Sequence, residues 1–102
     1  VIIQNEAIFD IEEYREFIAR DSPERALKWK LEILELIESL NQFPRRFHLA
    51  FEPKVDGHEI RAVVFHSHLV IYEFNDDVNL VLVLRVWPAQ MRPPKPVHLS
   101  LE

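Results

Sequence analysis

Residues 58–87 read HEIRAVVFHSHLVIYEFNDDVNLVLVLRVW, and this stretch decides the fold. It divides into three runs, 58–65, 68–74 and 80–87, each rich in the β-branched, aromatic and aliphatic residues that suit a pleated surface. Ser67 with its flanking histidines separates the first two, and Asn75-Asp76-Asp77 separates the second from the third. Neither link is long enough for the crossover that parallel neighbours need, so the runs predict a three-stranded antiparallel meander. Within the last run, Leu80-Val81-Leu82-Val83-Leu84 is apolar at every position instead of at alternate ones. Such a strand belongs in the middle of a sheet with both faces covered.

On the C-terminal side the chain meets Pro88, Pro93, Pro94 and Pro96, which predicts a proline-rich tail over 88–102. On the N-terminal side, 44–57 carries Arg45, Arg46, His48 and Lys54 without a period and ends at Asp56-Gly57, a loop closed by a turn pair. Before it, Ala26, Trp29, Ile33, Ile37 and Leu40 recur at three- and four-residue steps. That stripe predicts a helix closing at Phe43-Pro44, with Ser22 as its cap and Pro23 in its first turn, where no donor is needed. Ile11, Tyr14, Phe17 and Ile18, opposed by Glu12, Glu13, Arg15 and Glu16, predict an earlier helix from Ala7 to near Arg20. The link between the two is short, so they pack antiparallel. Val1-Ile2-Ile3 opens the chain as a short strand. The expected fold is α+β (βααβββ): a short N-terminal strand, a helical hairpin, then the meander, with the helices on one face of the sheet. Residues 1–87 form the domain and 88–102 the tail.

Composition bounds what such a domain does. A chain of 102 residues with 48% apolar residues and a single glycine holds one core and one site. Without cysteine there is no disulfide, no thiolate nucleophile and no Cys-ligated zinc. No apolar run reaches the roughly 20 residues of a membrane helix, and no basic segment leads into an apolar signal core. A cytoplasmic protein without membrane association is therefore expected. A net charge of −5 argues against gripping nucleic acid as a main task, because that affinity comes from Lys and Arg displacing phosphate counterions.

Five short stretches, in this order and spacing, carry a resemblance to a known family: Ala7-x-x-Asp10-Ile11, Ser22-Pro23-x-x-Ala26, Glu59-Ile60-Arg61, Leu69-Val70-Ile71-Tyr72 and Leu84-Arg85-Val86. Over nearly all of 1–87 the chain resembles the RelE/ParE toxin superfamily, often labelled plasmid stabilisation proteins. The resemblance implies a bacterial toxin and a cognate antitoxin whose extended or helical segment wraps it, in a homodimer or a heterotetramer with the antitoxin. It also implies one of two targets, messenger RNA on the ribosome for RelE-like members or DNA gyrase for ParE-like ones.

RelE-like cleavage needs cations around the phosphorane-like transition state and an acid or base beside the phosphate. The RelE-like set comprises lysines in the strand entering the meander, an arginine in the middle strand, another past the last strand, and a C-terminal tyrosine. Here the entering strand has Arg61 without a lysine, Leu69 stands where the middle-strand arginine belongs, and the tail has no tyrosine. The ParE-like reading follows, with no catalytic residue, no cofactor and no metal. The candidate contacts with target or antitoxin are Arg61, Arg85, Trp87, Gln90 and Arg92, the tail residues by analogy with the C-terminal end of ParE-like toxins. Arg61 and Arg85 each interrupt an apolar strand, so pairing with Glu59, Glu73 or a helix carboxylate is the structural alternative. Two other functions stay open: a ribosome-dependent ribonuclease using His66 or His68 with Arg61 and Arg85, and an inactive relic that only binds antitoxin.

Overall fold

The computed structural model describes residues 1–50 and 58–99; Lys54, the Asp56-Gly57 turn and the last three residues of the tail lie outside them. In chain order the elements are β1 (Ile2–Ile3), α1 (Asn5–Ala19), α2 (Pro23–Ser39), β2 (Ile60–Phe65), β3 (His68–Asn75), β4 (Leu80–Pro88) and a 3-10 turn at Pro96–Leu99. This is the expected α+β architecture. The strands lie side by side in the order β1-β4-β3-β2, with β2, β3 and β4 antiparallel and β1 parallel to β4. β4 therefore takes the interior position that its doubly apolar sequence requires.

The helical hairpin forms where the local chemistry placed it. Ser22, in extended backbone, accepts the Arg25 amide on its Oγ at 3.2 Å, and Pro23 fills the first position of α2. Glu12 meets Lys30 and Tyr14 meets Trp29, so contacts advance along α1 while receding along α2, as an antiparallel pair requires. Two expectations need correction. α2 stops at Ser39 instead of running to Phe43-Pro44, and Phe43 takes a left-handed φ of 52° that ends the helical path. Phe17, expected in the buried stripe, is 58% exposed. Ala7, Ile11, Tyr14 and Ile18 already close the inward arc, and a residue one step from Ile18 is turned about 100° away from it.

The helices cover one face of the sheet. Ala7, Ile11, Trp29, Ile33 and Ile37 meet Val63, Val70, Tyr72, Val83 and Val86 in the main core. On the opposite face Ile60, Ile71, Leu84 and Trp87 form a second cluster, closed by Leu99 with no exposed surface. The proline-rich segment is thus folded back onto the sheet, supplying the cover that the second face of β4 needs. The register of β3 against β4 shifts between Ile71, paired with Arg85, and Tyr72, paired with Val83, leaving Leu84 as an extra residue in a β-bulge. The bulge puts Leu84 and Arg85 in succession on the side of the second cluster instead of alternating them. Among the described residues no helix is long and apolar enough to cross a membrane.

Candidate functional site

The bulge determines what Arg85 can reach. β1 accompanies β4 only at Leu82 and Val83, with the Gln4 amide on the Val83 carbonyl at 2.9 Å, before the chain turns into α1. Past that point no strand among the described residues lies on the outer side of β4, and an unpaired edge amide is costly. The Asp10 carboxylate of α1 takes the place of the strand. It accepts the Val86 amide at 3.0 Å, Arg85 Nε at 2.7 Å and Arg85 Nη2 at 2.8 Å. Arg85 also donates to the His98 carbonyl at 3.1 Å and lies 5.0 Å over the Trp87 ring. The hydrogen bond to Asp10 raises its guanidinium pKa above the ordinary value.

Arg61 serves a similar function at the far edge of the sheet. Its guanidinium donates to Glu59 at 2.8 and 3.1 Å and to the Phe47 carbonyl at 2.6 Å. Arg45 approaches the same Glu59 at 2.8 and 3.1 Å and continues to Asp76 at 2.8 Å. Between two guanidinium groups, with Arg45 the stronger influence, the buried Glu59 carboxyl is held down to about 2. Tyr72 Oη donates to the Pro44 carbonyl at 2.6 Å, so this cluster pins the start of the loop after α2. Of the alternatives for the two arginines, pairing with Glu59 and with a helix carboxylate is what the structure contains. His58 takes Glu73.

Trp87 is 8% exposed, with Nε1 donating to the Arg92 carbonyl at 2.9 Å and its ring 5.3 Å from that of His98. Gln90 and Arg92 are exposed on the segment this bond holds. The two candidate histidines differ. His66 sits on the two-residue β2–β3 turn with φ 51° and a mostly exposed side chain 3.7 Å from Glu32. His68 is 3% exposed, edge-on to Tyr14 at 4.3 Å and to Trp29 at 5.9 Å, with Nδ1 at 3.2 Å from Ser67 Oγ.

Burial pushes the His68 pKa below its ordinary 6.5, against a smaller upward pull from Asp10. A histidine with a lowered folded pKa leaves the unfolded chain to take up the proton first. Stability is then complete above pH 6.5 and declines as pH falls below it. Urea unfolding followed from pH 7 to 5 should show this decline, at up to about 1.4 kcal/mol per pH unit. His68→Phe should flatten it; an unchanged slope would mean that the ring is not held neutral.

A cleft of about 670 Å³ runs between α1 and the end of β4 with its following segment. It brings together His68, Arg85 and Trp87 with Asp10, Tyr14 and Phe17. Arg61 stands at the opposite edge of the sheet, held to Glu59 and the Phe47 carbonyl. His66 borders a separate hollow with Trp29 and Glu32, and Gln90 and Arg92 do not line the cleft. Sequence reasoning did not name Tyr14, Phe17 and Arg20 as site residues, though all three line it, together with Met91 of the tail that the family analogy turns toward the target. The three-residue repeat Tyr14, Phe17, Arg20 along α1 was a usable signal, hidden because Phe17 reads as core.

Residues 1–93 match the family described as the ParE toxin of the type II toxin-antitoxin system, parDE. No curated protein matches the chain.

Proposed function

The chain belongs to the ParE toxin family of type II toxin-antitoxin systems, and we propose that it acts on DNA gyrase when free and is neutralised by its cognate antitoxin in the bacterial cytoplasm. The observation that supports a non-nucleolytic mode is the internal commitment of both strand arginines. Arg61 is bound to Glu59 and Arg85 to Asp10, and a cation already neutralised by a carboxylate offers a developing phosphorane little. Gln90 and Arg92, by contrast, are exposed on the segment anchored by Trp87, and we assign them to target contact. Fold alone does not choose between targets, since one scaffold serves both.

One observation favours the ribonuclease reading as runner-up: His68 and Arg85 border the same cleft. Induced expression of the chain in a bacterium carrying a DNA-damage reporter separates the readings. Growth arrest with a rising reporter is expected, and a Gln90→Ala/Arg92→Ala double variant should weaken both together. Arrest with a silent reporter, abolished by His68→Ala, would replace gyrase by RNA. Absence of arrest would leave an inactive antitoxin binder.

A further inference from the structure

Asp10 and Arg85 also border a second depression, lined by Asn5, Glu6 and Phe9, so the two hollows adjoin and together form a groove along the exposed flank of α1 from Glu6 to Arg20. Three large apolar side chains stand open to solvent along it: Phe9 at 65%, Phe17 at 58% and Met91 at 54% exposure. Aromatic and methionine side chains in this setting are the usual anchors of protein recognition, not a normal solvated surface.

The charges along the groove are ordered. Its first half carries the carboxylates of Glu6, Asp10 and Glu13 against the single guanidinium of Arg85, which Asp10 already occupies. Phe17 follows on the same helix and Arg20 takes the far end, while Met91 of the segment after β4 lines the same cleft. Neither the Glu13 nor the Arg20 side chain makes a hydrogen bond or ion pair among the described residues. His68 lies behind the ring of Tyr14, nine-tenths buried, with Nδ1 turned to Ser67. Along a helix, Glu6 and Arg20 are separated by about 21 Å.

We propose that this groove receives a segment of the antitoxin whose side chains run cationic, then apolar, then anionic, and that this charge order sets the direction in which the segment lies. The inference rests on the toxin reading above. A segment spanning the groove takes about 14 residues as a helix or about 6 as a strand. Its apolar residue enters between Phe17 and Met91. Its basic residue lies over Glu13 and its acidic residue over Arg20, and a reversed segment would set like charges together.

Overlapping 15-residue peptides covering the protein encoded by the adjoining reading frame serve as probes, with binding to the full chain read by fluorescence anisotropy. At least one peptide should bind, and Phe17→Ala and Met91→Ala should each weaken it about tenfold. Arg20→Glu should weaken binding too, with recovery when the peptide's acidic residue is changed to lysine. Glu13→Lys should respond to the opposite change. All four positions are exposed or line the open cleft, and circular dichroism checks that each variant is folded. Binding that ignores all four substitutions would place the antitoxin on another surface and overturn the groove assignment. Loss of toxicity with antitoxin affinity intact would give the groove to the target. A single-stranded oligonucleotide that binds in an Arg20-dependent manner, where no peptide does, would give it to nucleic acid. Failure of the whole neighbouring protein to bind would instead remove the toxin reading on which the inference rests.

Discussion

Asp10→Ala is expected to lower the unfolding free energy by about 3 kcal/mol or more, the cost of leaving one member of a mostly buried ion pair alone. Asp10 and Arg85 side chains are only 12% and 22% exposed, and the substitution strands the Val86 amide as well as the guanidinium. Asp10→Asn keeps an acceptor for that amide and should lose less. Adding Arg85→Met to Asp10→Ala should recover much of the loss, because an apolar replacement of similar length removes the uncompensated charge. Urea denaturation of the parent and the three variants measures these differences. A loss below about 1 kcal/mol for Asp10→Ala, the scale of a surface ion pair, would show that the carboxylate is not standing in for a strand.

Leu99→Ala should cost about 2–4 kcal/mol, as large-to-small changes at sealed apolar positions do. Leu99 has no exposed surface and closes the second cluster over Ile60, Ile71, Leu84 and Trp87. Removing it opens an apolar sheet face to water, so the variant should also show red-shifted tryptophan emission and a stronger tendency to associate. Leu99→Met, close in volume, should lose less than about 1.5 kcal/mol. Equal stability of Leu99→Ala and the parent would mean that the C-terminal segment contributes nothing to covering the sheet.

Much of the fold was legible because it rests on local chemistry. Ser22-Pro23 is a cap whatever surrounds it, and links as short as those after Phe65 and Asn75 permit only antiparallel neighbours. The continuous apolar run of 80–84 demanded cover on two faces without saying from where. Phe17 misled because a hydrophobic residue one step from a buried one satisfies the same loose periodicity; its side of α1 is decided by where the other elements lie. The candidate site was less legible. Arg61 and Arg85 stood out as charges within apolar strands, yet their partners are two residues away in one case and 75 residues away in the other. Arg20 continues the spacing of Tyr14 and Phe17 along α1, a signal masked because Phe17 reads as core.

The sequence by itself therefore determined the order of elements, the helical hairpin, the meander and the need for a doubly covered β4. These follow from periodicity, capping and chain length, which act over a few residues. Only the tertiary structure decided that a bulge at Leu84 turns Arg85 toward Asp10, that Leu99 returns to seal the second face, and that His68 is buried against Tyr14 and Trp29. It also decided that the flank of α1 and the segment after β4 enclose one groove. Each of these depends on two stretches far apart in the chain being brought within hydrogen-bonding or packing distance, and no local preference encodes such a meeting.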